Sequence, residues 1–213
     1  MNDHPNVHLL DHPLIQHKLT LLRDKNTTSI LFRSLIREIS MLMGYEITRD
    51  LPLKQKQVET STTTMDSPLI AGRKIAVISM LRAGLGMTEG LLELIPAAKE
   101  GHLGVFRDPK SGRFETSMIK LPEGEGRVIV VTDPIIATGQ TISYAIDVLN
   151  EHGVSDDRIR LMSIIATPGG LTTVNRHHPD VHIFVAGIDH ELDANNHVVP
   201  GLGSAGNRMF GTN

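Results

Sequence analysis

Val128-Ile129-Val130-Val131-Thr132-Asp133-Pro134-Ile135-Ile136-Ala137-Thr138-Gly139-Gln140-Thr141 decides how this chain folds. Four apolar β-branched residues in a row predict a strand buried on both faces, as in a parallel sheet. An acidic residue, Asp133, stands at the strand's tip. Small residues then lead into a loop and helix over 139–153, with Gly153 in the usual position for closing a helix. Strand, tight loop and helix in that order form one unit of an α/β fold.

Outward from this unit the alternation recurs. Residues 75–79 form an apolar strand, followed by a Gly-rich turn and a helix over about 87–94. Residues 102–106 suit another strand, with a polar loop over 107–113, and strands at 160–166 and 182–186 complete the set. The fold class is therefore α/β, a parallel sheet flanked by helices and joined by right-handed crossovers, with ligands at the carboxyl ends of the strands. Upstream, the spacing of Leu14, Ile15, Leu19 and Leu22 predicts a helix over 13–23. A second helix over 29–44 places Leu31, Leu35, Ile39 and Leu42 on one stripe, and Asn26, Thr27 and Thr28 offer capping groups before it. The alternating, Thr-rich stretch 54–70 predicts an extended arm or hairpin. Its apolar content is too low for a core of its own, so it should pack on the body or on a second subunit. The reading is one domain: helices and arm to about residue 70, an α/β core over 71–180 and a C-terminal hood over 181–213.

Composition narrows the function. The formal charge of −3 gives no broad electrostatic grip on nucleic acid. No cysteine is present, which removes disulfides, thiolate metal sites and a cysteine nucleophile. The first ten residues are polar, and no apolar run is long enough to cross a bilayer, so the expectation is a soluble cytoplasmic protein without a membrane or nucleic-acid partner. Eleven histidines invite a metal reading, but His4, His8, His12, His17, His177 and His178 lack the spacing to carboxylates that zinc needs. Solvated or capping histidines are expected instead.

The loop after Asp133 can wrap backbone N–H groups around a phosphate, aided by Thr138, Thr141 and the positive end of the following helix. Asp133 can accept hydrogen bonds from sugar hydroxyls, so the pair suits a ribose 5-phosphate. An ordinary strand-to-helix turn with a capping Thr is the alternative. No Gly-Lys-Ser/Thr follows, so this is not a Walker loop. Arg82, leaving a strand ahead of Ala83-Gly84, brings a guanidinium near unobstructed amides and suits a diphosphate; a plain surface arginine is the alternative. Gly201, Gly203 and Gly206 match the dinucleotide fingerprint as a string. Only residues 207–213 follow, leaving no room for its crossover helix.

The 128–141 stretch resembles the phosphoribosyl diphosphate (PRPP) signature of the type I phosphoribosyltransferases. Its Asp133-Pro134 pair is similar to the uracil-specific branch. Leu81-Arg82-Ala83-Gly84-Leu85-Gly86-Met87 resembles that branch's pyrophosphate loop, and Pro200-Gly201-Leu202-Gly203-Ser204-Ala205-Gly206-Asn207-Arg208-Met209-Phe210-Gly211-Thr212 its uracil segment. Weaker likeness runs through His12-Pro13-Leu14, Tyr45-Glu46 and Ile95-Pro96. The resemblance implies transfer of phosphoribosyl from PRPP to uracil, with Arg82 and Asp133 in catalytic roles. It implies PRPP contacts from Arg82, Arg107, residues 133–141 and Ser204, the Arg107 contact coming from a mobile loop for which a solvated charged loop is the alternative. It implies uracil contacts, largely main-chain, at Val198, Gly203, Ser204 and Ala205. It further implies Mg²⁺ carried by PRPP with no protein metal site, a homo-oligomer, GTP as an activating nucleotide, and a cis peptide not before proline in the pyrophosphate loop.

The chain departs from that pattern at four positions. Ser204 and Asn207 stand where the family has acidic residues, and His197 where it has Tyr. Gln140 replaces a Gly that would tolerate positive φ. Two alternatives follow: a phosphoribosyltransferase for another base, or a pyrimidine-sensing RNA-binding regulator on the same fold.

Overall fold

The computed structural model describes residues 5–72, 75–123 and 126–212; His4 and Asn213 lie outside the described residues. The chain runs β1 (Val7–Leu9), α1 (Pro13–Arg23), α2 (Ser29–Ile47), β2 (Leu53–Glu59), β3 (Thr64–Ile70), β4 (Ile75–Met80) and α3 (Leu85–Leu94). It continues through β5 (Lys99–Arg107), β6 (Phe114–Lys120), β7 (Val128–Thr132), β8 (Ile135–Ile136), α4 (Gln140–Glu151), β9 (Ile159–Ala166) and α5 (Pro168–His177). β10 (His182–Ile188), β11 (Glu191–Leu192), β12 (Val198–Val199) and α6 (Ala205–Phe210) complete it.

Among the described residues the main sheet has the order β1-β10-β9-β7-β4-β5-β6, with β8 also paired to β9. All neighbours are parallel except β5 and β6, which form an antiparallel edge. β4 and β7 alternate their side chains between two hydrophobic layers. Ile75, Val77 and Val130 face α1, α2, α3 and α6, while Ala76, Ile78, Ile129 and Val131 face α4 and α5. Burial on both faces explains the unbroken apolar runs that the sequence shows there.

Chain order makes the sheet's functional edge. From β4 the chain steps to β5 and β6, then returns to the other side of β4 as β7. The reversal lies between β4 and β7, where the loops leaving two adjacent strands part in opposite directions and open a crevice.

Several expectations need correction. Leu14 and Leu31 are 43% and 46% exposed, so the buried faces of α1 and α2 are rotated from the stripes read above. Phe32, Ile36 and Met43 join Leu35 and Ile39 inside. β6 was expected as part of no element, and Arg107 as a loop residue. Arg107 instead ends β5, opposite Phe114. The 54–70 stretch does form the expected hairpin, β2–β3, antiparallel and in register from Leu53 opposite Ile70 to Glu59 opposite Thr64. His178 is not solvated: it is buried between α4 and α5, with Nδ1 3.1 Å from Asp156 and Nε2 3.1 Å from the Ser143 carbonyl. His12 caps α1, as its position suggested. No helix among the described residues is long and apolar enough to cross a membrane.

Candidate functional site

The register of β4 and β7 builds the site. Ser79 lies opposite Thr132, so the loop carrying Arg82 and the loop beginning at Asp133 leave the sheet side by side. Helix α3 follows the first and α4 the second. Four helices have an N-terminus closed by a side chain: His12, Thr28, Thr167 and Ser204 accept amides of α1, α2, α5 and α6. α3 and α4 begin at Gly84 and Gly139 with no side-chain cap. Two helices thus aim the positive ends of their dipoles at the strand reversal, although in α3 the Gly84, Leu85 and Met87 amides are taken by the Met80, Arg82 and Gly84 carbonyls at 2.8, 3.3 and 3.1 Å.

The 133–141 loop is held from beneath. The Asp133 amide donates to the Met162 carbonyl (3.2 Å), and the Pro134 carbonyl accepts Ile164 and Ile165 amides (3.1 Å each). Ile135 and Ile136 run as β8 beside β9, and the Thr167 hydroxyl donates to the Ala137 carbonyl at 2.6 Å. Gly139 adopts φ 77°, and a Cβ there would lie 2.4 Å from the Gly170 carbonyl oxygen; a Cβ on Gly170 would lie 2.4 Å from that of Ala137. The loop and the start of α5 are notched into each other, and only hydrogen fits at both positions. Gln140 does not need positive φ. It is exposed and opens α4 in ordinary helical geometry, while Gly139 alone takes the left-handed turn. The backbone of the loop therefore accommodates Gln140 where the family has Gly.

The Asp133 side chain is partly open to solvent, but the protein around its carboxyl pushes its pKa up from 3.8 to about 7. Desolvation is the cause, offset in part by a hydrogen bond from the Ile135 amide. Among the described residues no cation compensates this carboxylate, which favours a ligand that supplies hydroxyl donors or positive charge.

The Leu81–Arg82 peptide is cis, as the resemblance implied. Arg82 is exposed, with its guanidinium 5.5 Å from the Phe210 ring centroid and Nη2 3.5 Å from the Thr212 hydroxyl. The C-terminal segment is therefore adjacent to the pyrophosphate-type loop. Gly86 packs against Met209, whose sulfur would lie 2.7 Å from a Cβ at that position. Ser204 caps α6 by accepting the Asn207 amide at 3.4 Å. Val198 is buried in β12, Gly203 has φ 67°, and the Val199–Pro200 bond is cis. Ala205 is buried at the start of α6. His197 is exposed, its Nδ1 3.0 Å from Asp193. Arg107 is engaged with its own hairpin: Nε donates to the Gly112 carbonyl at 2.8 Å, and the guanidinium lies over Phe114.

Sequence reasoning passed over Arg23, Asp189 and Arg208, which seat the C-terminal segment. Arg23 binds Asp189 and the Gly201 carbonyl. Arg208 donates to the carbonyls of Leu22 (2.8 Å) and Leu202 (2.9 Å) and lies 4.3 Å over the Phe32 ring. Asp189 could have been found, because it follows β10 as Asp133 follows β7. Among the described residues, no group of three or more His, Asp or Glu side chains is arranged to hold a metal ion.

Residues 9–212 match the family model described as uracil phosphoribosyltransferase. The uracil phosphoribosyltransferase of Rhodospirillum centenum is 51% identical over 99% of this chain and 97% of that protein. Among solved structures, the AQ2163 protein from Aquifex aeolicus superposes with a TM-score of 0.88 at 31% identity, covering 96% of this chain and 97% of that one. A purine phosphoribosyltransferase from Pyrococcus horikoshii, 11% identical with a TM-score of 0.51 over 73% of this chain and 84% of that one, shares the fold.

Proposed function

The chain belongs to the uracil phosphoribosyltransferase family, and from that premise we propose how its own residues divide the work. The reaction transfers the phosphoribosyl group of PRPP to uracil, giving UMP and pyrophosphate. The observation that carries the residue assignment is the pair of helix N-termini without a side-chain cap, α3 and α4, that follow the adjacent strands β4 and β7, the second of which leads into Asp133.

Displacement at the anomeric carbon builds positive charge on the ribose ring and negative charge on the departing diphosphate. The protein's task is to position the reactants and stabilise those charges. Residues 137–141 and the start of α4 anchor the 5′-phosphate. Ionised Asp133 accepts the ribose hydroxyls and lies near the developing positive charge. Arg82, with the positive end of the α3 dipole behind it, receives the diphosphate, and Arg107 joins it when its hairpin releases the Gly112 carbonyl. Main-chain groups at Val198, Gly203, Ser204 and Ala205 meet the alternating acceptor and donor edge of uracil. The hood expected over 181–213 is confined to the segment after β10, from about residue 189, because residues 182–188 are a strand of the main sheet; this segment closes over a single domain. The donors present fit Mg²⁺ as a companion of PRPP: Asp133 offers a carboxylate, and the arginines offer no metal ligand. When bound, Mg²⁺ supplies charge neutralisation on the diphosphate, most of its oxygen ligands coming from substrate and water.

The exposed β2–β3 hairpin, with Leu53 and Met65 open to solvent, supports a homo-oligomer of at least two chains. A cytoplasmic location without nucleic-acid partners accords with the charge of −3. GTP activation rests on the family resemblance alone.

The test is turnover of PRPP and Mg²⁺ with a panel of bases. UMP and pyrophosphate should form with uracil. Absence of both products with every pyrimidine would overturn the reading.

A further inference from the structure

Beneath the crevice, three buried hydroxyls stand in series in an otherwise aliphatic core. Ser79 Oγ is 2.5 Å from Thr88 Oγ1, which is 3.0 Å from Thr132 Oγ1. Thr132 Oγ1 in turn lies 3.2 Å from the Gly84 carbonyl oxygen and 3.5 Å from that of Ile78. All three side chains are at most 1% exposed. Each hydroxyl has one proton to give. The carbonyls at the Thr132 end accept only, so Thr132 donates to the backbone, Thr88 to Thr132 and Ser79 to Thr88. The proton order is fixed from Ser79 to Gly84, and bonds aligned head to tail polarise one another.

The chain ends where the two substrate loops meet. Gly84 closes the turn that carries Arg82 and opens α3, with its amide on the Met80 carbonyl at 2.8 Å. Thr132 directly precedes Asp133. Its own carbonyl oxygen would lie 2.2 Å from a Cβ on Gly84, so the two backbones meet without slack. One residue thus holds the first loop by its side chain and the second by its main chain. Burying a hydroxyl has a cost even when it is bonded, and valine would fill the Thr positions without it. Packing alone does not account for three of them in line.

We propose that Thr132, with Thr88 and Ser79 behind it, is a positioning residue that sets the spacing of the diphosphate-binding Arg82 turn from the ribose-binding Asp133. The proposal rests on the PRPP reading above and adds residues outside the substrate contacts.

The experiment is equilibrium binding of PRPP and of pyrophosphate in the presence of Mg²⁺, alongside steady-state kinetics and thermal melts. Thr132→Val should weaken PRPP binding about tenfold, from loss of one buried donor. The Michaelis constant for uracil should stay within about twofold, and Thr132→Ser should restore most of the PRPP loss. Arg82→Ala should cost far less in the Thr132→Val background than in the wild type, since both changes remove the same alignment. A variant with a lower melting temperature, unchanged PRPP affinity and additive behaviour with Arg82→Ala would reduce the hydroxyls to packing and overturn the proposal. If Thr132→Val does not fold, Ser79→Ala removes only the far donor; a loss of about two- to threefold in PRPP affinity supports the proposal and no loss overturns it. Wild-type protein that binds PRPP but makes no UMP breaks the uracil reading while the binding test still stands. Wild-type protein that binds no PRPP breaks both.

Discussion

Arg23 and Asp189, 166 residues apart in sequence, meet as a bidentate pair with Nη–Oδ distances of 2.7 and 2.8 Å. The same carboxylate accepts the Gly201 amide at 2.9 Å, and Arg23 donates to the Gly201 carbonyl at 2.9 Å. The residues at the end of α1 and just after β10 thereby hold both the N–H and the carbonyl of Gly201, near the start of the uracil segment. Asp189 is 6% exposed, so these partners take the place of water around its carboxylate.

Asp189→Ala leaves Arg23 partly buried without its counter-ion. Stability should fall by about 3 kcal/mol, as expected when one half of a buried pair is removed. The Michaelis constant for uracil should rise more than that for PRPP, because the clamp reaches the base segment and not the 137–141 loop. Urea melts and two-substrate kinetics check both.

The raised pKa of Asp133 gives two opposite pH effects. In the ligand-free protein the native state favours the protonated carboxyl more than the unfolded state does. Its contribution to stability is therefore fully present below pH 3.8 and is lost as pH rises towards about 7. PRPP binding needs the ionised acceptor and should strengthen as pH rises through about 7. Asp133→Asn should bind PRPP weakly, gain stability relative to wild type above neutrality and lose this limb of the binding profile. PRPP titrates in the same range, so the readout is the difference between wild type and variant in calorimetric titrations from pH 5.5 to 8.5.

Gly139→Ala should abolish PRPP binding, since its Cβ would lie 2.4 Å from the Gly170 carbonyl oxygen and φ is 77°. Gln140→Gly should leave PRPP affinity within about twofold, because Gln140 is an exposed residue at the first helical position, where a change to Gly costs little. Isothermal titration of the two neighbouring variants separates the steric notch from the bystander.

Ser204→Asp should lower the Michaelis constant for PRPP more than that for uracil, with a gain that grows with Mg²⁺. Asp caps a helix as well as Ser does, so the seat of α6 should be kept. Kinetics across a Mg²⁺ series decide: an equal or worse PRPP constant at every concentration would mean that the pocket is built around the serine.

The sheet's central strands, the two N-terminal helices and the arm were legible because burial on two faces, helical spacing and alternation leave plain patterns. β6 was not, since Phe114-Glu115-Thr116-Ser117-Met118-Ile119-Lys120 lies at an edge and is mostly polar. β1 has three residues and owes its form to pairing with β10. The loops at Arg82, Asp133 and Ser204 were readable as motifs. What joins them was not. Arg23 reads as the last turn of a helix, and Ser79, Thr88 and Thr132 as ordinary members of their elements, until the fold brings them together.

The stacking of Arg82 on Phe210 has a consequence for watching this protein at work. The chain has no tryptophan, and Phe210 is 38% exposed with the guanidinium 5.5 Å from its ring. Phe210→Trp would place a lone indole there, and its emission would respond when a diphosphate draws the guanidinium away. Capture of one substrate and departure of the other product would then appear as fluorescence transients in a stopped-flow instrument, with no dye attached.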